Sequence, residues 1–144
     1  MNDDNPKMVF DKAGQDGAVG PSRQAAPNPG DERLRDRQLF ERIHRAIIKG
    51  RLYLDPAFSR DSYIKLGLVN KNRVAKIMKL YAGTNLNGYI NALRLEYAAR
   101  LMRERADLPM KAVALDSGFR SLRTFYRLFI KRFGMTPTRY KDEL

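Results

Sequence analysis

The chain has 144 residues, a single histidine, no cysteine and a formal net charge of +12. That length holds one modest domain plus a tail, or two very small subdomains sharing a helix. Without cysteine there are no disulfides, thiolate nucleophiles or thiolate metal sites, and no apolar run approaches the roughly 18 residues that would span a bilayer.

Residues 1–30 carry three basic and four acidic side chains, which leaves 25 basic and 12 acidic, a net of +13, to residues 31–144. Such a field favours polyanions, either nucleic acid or an anionic membrane surface. The opening stretch is rich in proline and glycine (Pro6, Gly14, Gly17, Gly20, Pro21, Pro27, Pro29, Gly30) and poor in large apolar residues. It buries too little surface to offset its ordering entropy, so residues 1–32 are expected to be a disordered tail or linker and residues 33–144 the folded part. Its first ten residues are acidic and lack an apolar core, unlike a secretory signal. Lys141 to Leu144 spell the address read for retention in the endoplasmic reticulum, which acts only on proteins that have entered the secretory pathway; we read it as coincidence and expect a cytoplasmic chain.

Asp31 and Glu32 open a helix near its positive end, followed by Leu34, Leu39, Phe40, Ile43, Ala46, Ile47 and Ile48, with Gly50 closing it. His44 lies on this helix without a second histidine or a carboxylate cluster beside it, and reads as a partly exposed helix residue. Leu52, Tyr53, Leu54 and Pro56 suggest an extended connection, and a short helix capped by Ser59 or Asp61 runs to about Leu66. Asn70 starts a helix with Val74, Ile77, Met78 and Tyr81 inward and Lys71, Asn72, Arg73, Lys76 and Lys79 outward. Asn85 begins the longest helix, to about Arg105, with Leu86, Tyr89, Ile90, Leu93, Tyr97 and Leu101 at helical spacing. Gly88 inside it points to a close contact, and Arg94, Arg100, Arg103 and Arg105 with Glu96 and Glu104 read as a solvated, paired surface. Pro109 starts another short helix, with Met110, Val113 and Ala114 inward. After the Gly118 break, Ser121 caps a helix with Phe125, Leu128, Phe129 and Phe133 inward and Arg123, Arg127 and Lys131 outward. Gly134, Thr136 and Pro137 are a C-cap, an N-cap and a first helical residue in succession.

A shift of 51 superposes the two halves: Gly118 on Gly67, Ser121 on Asn70, Phe125 on Val74, Arg127 on Lys76, Gly134 on Gly83, Thr136 on Asn85. A helix, a tight turn and a second helix with a basic outer face are what a helix-turn-helix reader of DNA needs. The chain thus predicts an all-α fold of about seven helices, two tandem helix-turn-helix subdomains (about 59–82 and 109–133) joined by a linker helix (about 85–105).

GYINALRLEYAARLM (Gly88 to Met102), PMKAVALDSGF (Pro109 to Phe119) and FYRLFIKRFGMTPTRY (Phe125 to Tyr140) resemble the DNA-binding domain of the AraC/XylS-type bacterial transcription regulators. The resemblance spans about Arg37 to Lys141. It implies a sequence-specific regulator reading two nearby major-groove segments of double-stranded DNA. Carried over by position, Leu122, Arg123, Tyr126 and Arg127 fall where the family approaches bases, as do Asn72, Ala75 and Lys76 in the first unit. The first unit departs from the family in its apolar turn, Leu66 to Val69, and in Tyr63, which the shift sets against Ala114. Family members commonly carry a regulatory domain ahead of this one, so a sensor domain and RNA polymerase are further partners to consider, and the chain could be the output part of a larger protein.

Arginine can pair with guanine O6 and N7, as Arg123 and Arg127 would, and asparagine with adenine, as Asn72 would. Lys71, Arg73, Lys79, Lys131 and Arg132 are phosphate candidates, and Asn70, Ser121 and Thr136 present helix N-terminal amides to phosphate as well as capping. The rival accounts are a charge-driven, nonspecific nucleic-acid coat and a module binding a protein partner. No metal, cofactor or catalytic residue is expected, since one histidine and scattered carboxylates form no constellation for acid–base or nucleophilic chemistry.

Overall fold

A computed structural model describes residues 28–144. The expected tail falls mainly outside these residues. Among the described residues seven α-helices are joined by short turns: α1 (Pro29–Gly50), α2 (Arg60–Gly67), α3 (Lys71–Tyr81), α4 (Leu86–Glu104), α5 (Met110–Asp116), α6 (Leu122–Phe133) and α7 (Pro137–Asp142). Helix α1 begins two residues earlier than Asp31 because the Asn28 side chain accepts from the Gly30 amide and Pro29 has no N–H to leave unpaired. At its far end Arg51, not Gly50, adopts the left-handed conformation (φ 53°). The expected extended connection is instead a 3₁₀ turn, Leu52–Leu54, driven by burial of Tyr53.

Two cores sit on either side of α4. The first gathers Ile43 and Ile47 from α1, Tyr63 from α2, Val74 and Met78 from α3, and Leu86, Tyr89 and Ile90 from α4. The second gathers Leu95, Ala98 and Met102 from α4, Val113 and Ala114 from α5, and Phe119, Phe125 and Phe129. Helix α4 therefore has no single buried stripe: its burial rotates from one core to the other along its length. This is why Leu93, Tyr97 and Leu101, expected inward, are only half-buried, while Leu95, Ala98, Ala99 and Met102 are buried. Gly88 does sit at a close contact, since a Cβ there would collide with Thr84 Oγ1.

Arg94 corrects the expected solvated surface on α4. It is buried, donating from Nε to the Tyr53 carbonyl (2.6 Å) and from Nη2 to that of Asp55 (2.9 Å), where it satisfies carbonyls of the 3₁₀ turn. Burial lowers its pKa, and the nearby Asp55 carboxylate opposes that shift.

The internal repeat is closer to true in its second half. The N-caps Asn70 and Ser121, the left-handed Gly83 and Gly134, and the N-caps Asn85 and Thr136 are all 51 apart. Ahead of the recognition helices the interval is 50: Leu68 and Gly118 are the left-handed residues, and Val69 and Phe119 donate back to Ile64 and Ala114. The first turn is one residue shorter than the second. Tyr63 is accordingly the counterpart of Val113, not of Ala114, and Gly67 is a buried helical residue whose missing Cβ leaves room for Ile43 Cδ1.

Leu68 holds its left-handed backbone (φ 52°) with the side chain 92% exposed. An L-residue there costs about 1–2 kcal/mol, part of which glycine gives back through the entropy of its unfolded chain. Leu68→Gly is expected to gain about 0.5–1 kcal/mol and to raise the melting temperature by about 2–4 °C in a thermal scan. An unchanged or lower melting temperature would show that the exposed leucine is not strained.

His44 is half-buried on α1, stacked on Phe40, with Nδ1 2.6 Å from the Tyr89 hydroxyl. Burial and then the Arg45 charge lower its pKa from 6.5. The unfolded chain therefore binds the proton more readily, so this contribution is intact above about pH 6.5 and is lost as pH falls toward the native value. His44→Gln should show a smaller drop in melting temperature between pH 7.5 and pH 5.5 than the parent chain, because the only histidine carries that titration. Equal drops would assign it elsewhere.

Candidate nucleic-acid interface

Each recognition helix is amphipathic for a local reason. In α6, Phe125 and Phe129 are fully buried, and each Phe so buried contributes about 1.5–3 kcal/mol. The Ser121 Oγ accepts from the Thr124 amide (3.1 Å) and fixes where the helix starts, while Gly134 (φ 76°) ends it. With about 100° per residue, Arg123, Arg127 and Lys131 then fall in one strip on the opposite side, with Tyr126 beside it and Leu122, in the first turn, nearer the buried face. Leu122, Arg123, Arg127 and Lys131 are exposed, and among the described residues the three cations have no ion pair or hydrogen bond. Tyr126 is half-buried, its hydroxyl 2.8 Å from Thr138 Oγ1 on α7, so the ring is steadied from behind. Ile130, 42% exposed, lies within the same strip. Sequence reasoning passed over it, although its position off the Phe125–Phe129 face was a signal.

Arg132 lies elsewhere. Nine positions from Arg123, it is about 180° around the helix, and both Nη2 (2.6 Å) and Nε (3.2 Å) bond Glu96 Oε2 on α4. Its side chain points at the linker helix, away from the expected phosphate contacts.

In α3, Asn70 Oδ1 accepts from the Arg73 amide (2.8 Å) and sets the N-terminus. Lys71, Asn72, Ala75 and Lys79 are exposed, and neither lysine has a partner among the described residues. Arg73 and Lys76 stand at the edge turned toward α1. There Arg73 Nε and Nη2 approach Asp36 Oδ1 (2.9 and 2.6 Å), and Lys76 Nζ is 3.4 Å from Asp36 Oδ2. Asp36 is 1% exposed and was missed from sequence. It was findable, because it sits four, seven and eleven residues before Phe40, Ile43 and Ile47, on the apolar stripe of α1.

A groove of about 390 Å³ runs beside α3, lined by Lys71, Val74 and Ala75, the start of α2 (Ser59 to Asp61) and the start of α4 (Asn85 to Asn87). Thr136 Oγ1 caps α7 by accepting from the Arg139 amide (3.1 Å). All three predicted phosphate-binding caps therefore do cap their helices. Among the described residues no group of three or more His, Asp or Glu side chains is placed to hold a metal ion, and no helix is long and apolar enough to cross a membrane.

The family model described as Helix-turn-helix domain matches residues 68–143. The chain is 32% identical over 110 residues to the probable transcription factor PqrA of Proteus vulgaris, covering 72% of this chain and 87% of PqrA. It is 26% identical over 88 residues to the RCS-specific HTH-type transcriptional activator RclR of Escherichia coli K12, covering 61% of this chain but only 31% of RclR. Among solved structures, the C-terminal domain of AraT, a response regulator from Geobacillus stearothermophilus, superposes with a TM-score of 0.67 at 21% identity, covering 74% of this chain and 85% of that one. Both PqrA and RclR are named as transcription regulators.

Proposed function

The chain belongs to the AraC-type helix-turn-helix family and is a DNA-binding transcription regulator; we propose that it reads two nearby major-groove segments of double-stranded DNA, one with α3 and one with α6. The observation that carries this is the partner-free strip of Arg123, Arg127 and Lys131 opposite the buried Phe125 and Phe129. A guanidinium held by no protein carboxylate is available to guanine O6 and N7, and Arg123 and Arg127 take that role. Leu122, Ile130 and the Tyr126 ring supply apolar contact to thymine methyls. Asn72, Ala75 and Lys76 read the first segment. Lys71, Lys79 and Lys131 meet phosphates, along with the helix starts at Asn70, Ser121 and Thr136. Helix α4, at 19 residues, is roughly 28 Å long and suits two readers about one turn of B-DNA apart. Contact with RNA polymerase, and control by a sensor domain on a longer or separate chain, belong to the same proposal.

The excess of positive charge favours one rival, a nonspecific coat on nucleic acid. Selection of bound sequences from a random duplex pool at about physiological salt, where the Debye length is about 8 Å, separates the two. The reader enriches two short motifs about one helical turn apart. Salt-sensitive binding without enrichment would establish the coat instead.

A further inference from the structure

We propose that Asp36 is a positioning residue for the first recognition helix, holding Arg73 and Lys76 so that this unit binds phosphate more weakly than its charge alone would give. The proposal rests on the DNA-binding reading above. Asp36 is pinned by its place on the buried stripe of α1, and its carboxylate is 1% exposed. Its two cations are not buried with it: the Arg73 side chain is 41% exposed and that of Lys76 49%. Each therefore faces both the carboxylate and the solvent from which DNA would approach.

A carboxylate taken out of water depends on its partners to offset the lost hydration, so a phosphate must compete for Arg73 against an anion already desolvated. Arg73 meets that anion through two nitrogens on one oxygen, at 2.6 and 2.9 Å. Lys76 stands 3.4 Å from the other oxygen, which has no hydrogen bond of its own. One negative and two positive groups leave a single net charge where the sequence shows two. The second unit has no such device, since Arg123, Arg127 and Lys131 lack partners among the described residues. The consequence is a division of labour in which Asp36 restrains the sequence-independent attraction of α3 and keeps Lys76 in one place beside Asn72 and Ala75. Nonspecific binding scales with the phosphates neutralised, so a held arginine improves the ratio of specific to nonspecific affinity.

The test is binding of the full chain to an unrelated duplex across a salt series, read by fluorescence anisotropy, for the parent, Asp36→Asn and the double variant Asp36→Asn/Arg73→Gln. Asp36→Asn is expected to steepen the salt slope by about one, equivalent to an additional three- to fourfold loss of affinity between about 50 and 200 mM salt. The double variant is expected to return to the parent slope, because it removes one negative and one positive group together. A parent-like slope for folded Asp36→Asn, or a slope about one below the parent's in the double variant, would overturn the proposal. Should Asp36→Asn fail to fold, the double variant decides alone, since it removes the buried charge and its partner together. A parent chain that binds no duplex sinks the DNA-binding reading and this proposal with it, whereas unchanged slopes in a binding chain sink only the role of Asp36.

Discussion

Gly118→Ala is expected to destabilise the chain by about 2–4 kcal/mol, combining the strain of a left-handed alanine with overpacking at a buried contact. Gly118 has φ +96°, and a Cβ there would lie 2.8 Å from both Arg94 Nε and the Tyr53 carbonyl oxygen. Neither neighbour can yield cheaply. Tyr53 contributes backbone, and Arg94 is fixed by its two hydrogen bonds to the 3₁₀ turn. Gly134→Ala is the control, because Gly134 shares the positive φ (+76°) but has nothing within 4 Å of the added carbon. It is expected to lose only about 1 kcal/mol. Urea unfolding of the two variants separates conformation from contact, and equal losses would show that the approach of Gly118 to Arg94 contributes nothing.

The same contact has a functional side. Arg94 stands on the linker helix, bonds the 3₁₀ turn that leads into the first unit and lies against the turn of the second, so the two units share one fixed point. A reader of two spaced segments needs its units held at a set angle, and a buried guanidinium with directional bonds limits that angle more than apolar packing does.

What the sequence made legible was local. The Gly134, Thr136 and Pro137 succession, the caps at Asn70, Ser121 and Asn85, and the aromatic spacing of α6 each act within about four residues, and each formed as expected. The misreadings concern contacts between distant segments. Asp36 and Arg73 are 37 residues apart, and Arg94 and Tyr53 are 41 apart. In both cases a charged residue lay on an apolar stripe, Asp36 with Phe40 and Ile43, Arg94 with Ile90 and Ala98. Arg94 was read as solvated because it is charged, and Asp36 was passed over, although a charge at a core position implies a partner. The shortened first turn escaped notice because Gly67 matched Gly118 by residue type. The backbone instead places its left-handed residue at Leu68.

Arg123→Ala and Arg127→Ala are each expected to weaken binding to the selected site by about 1–3 kcal/mol, roughly 5- to 150-fold, and to relax the base preference in only one of its two motifs. The asymmetry follows from the proposed reading, in which both residues project from α6 while Asn72, Ala75 and Lys76 on α3 contact the other motif. A base contact of this kind changes sequence preference more than salt dependence. Lys131→Ala should do the opposite, weakening all duplexes alike and lowering the salt slope by about one. Arg132→Ala should do neither, because its guanidinium is occupied by Glu96 on the far side of the helix. Repeating the duplex selection and the salt series with these four variants therefore tests the direction of each side chain as well as its charge. If Arg123→Ala and Arg127→Ala lowered only the salt slope and left both motifs intact, α6 would be a phosphate-binding helix and the sequence would have to be read by other residues.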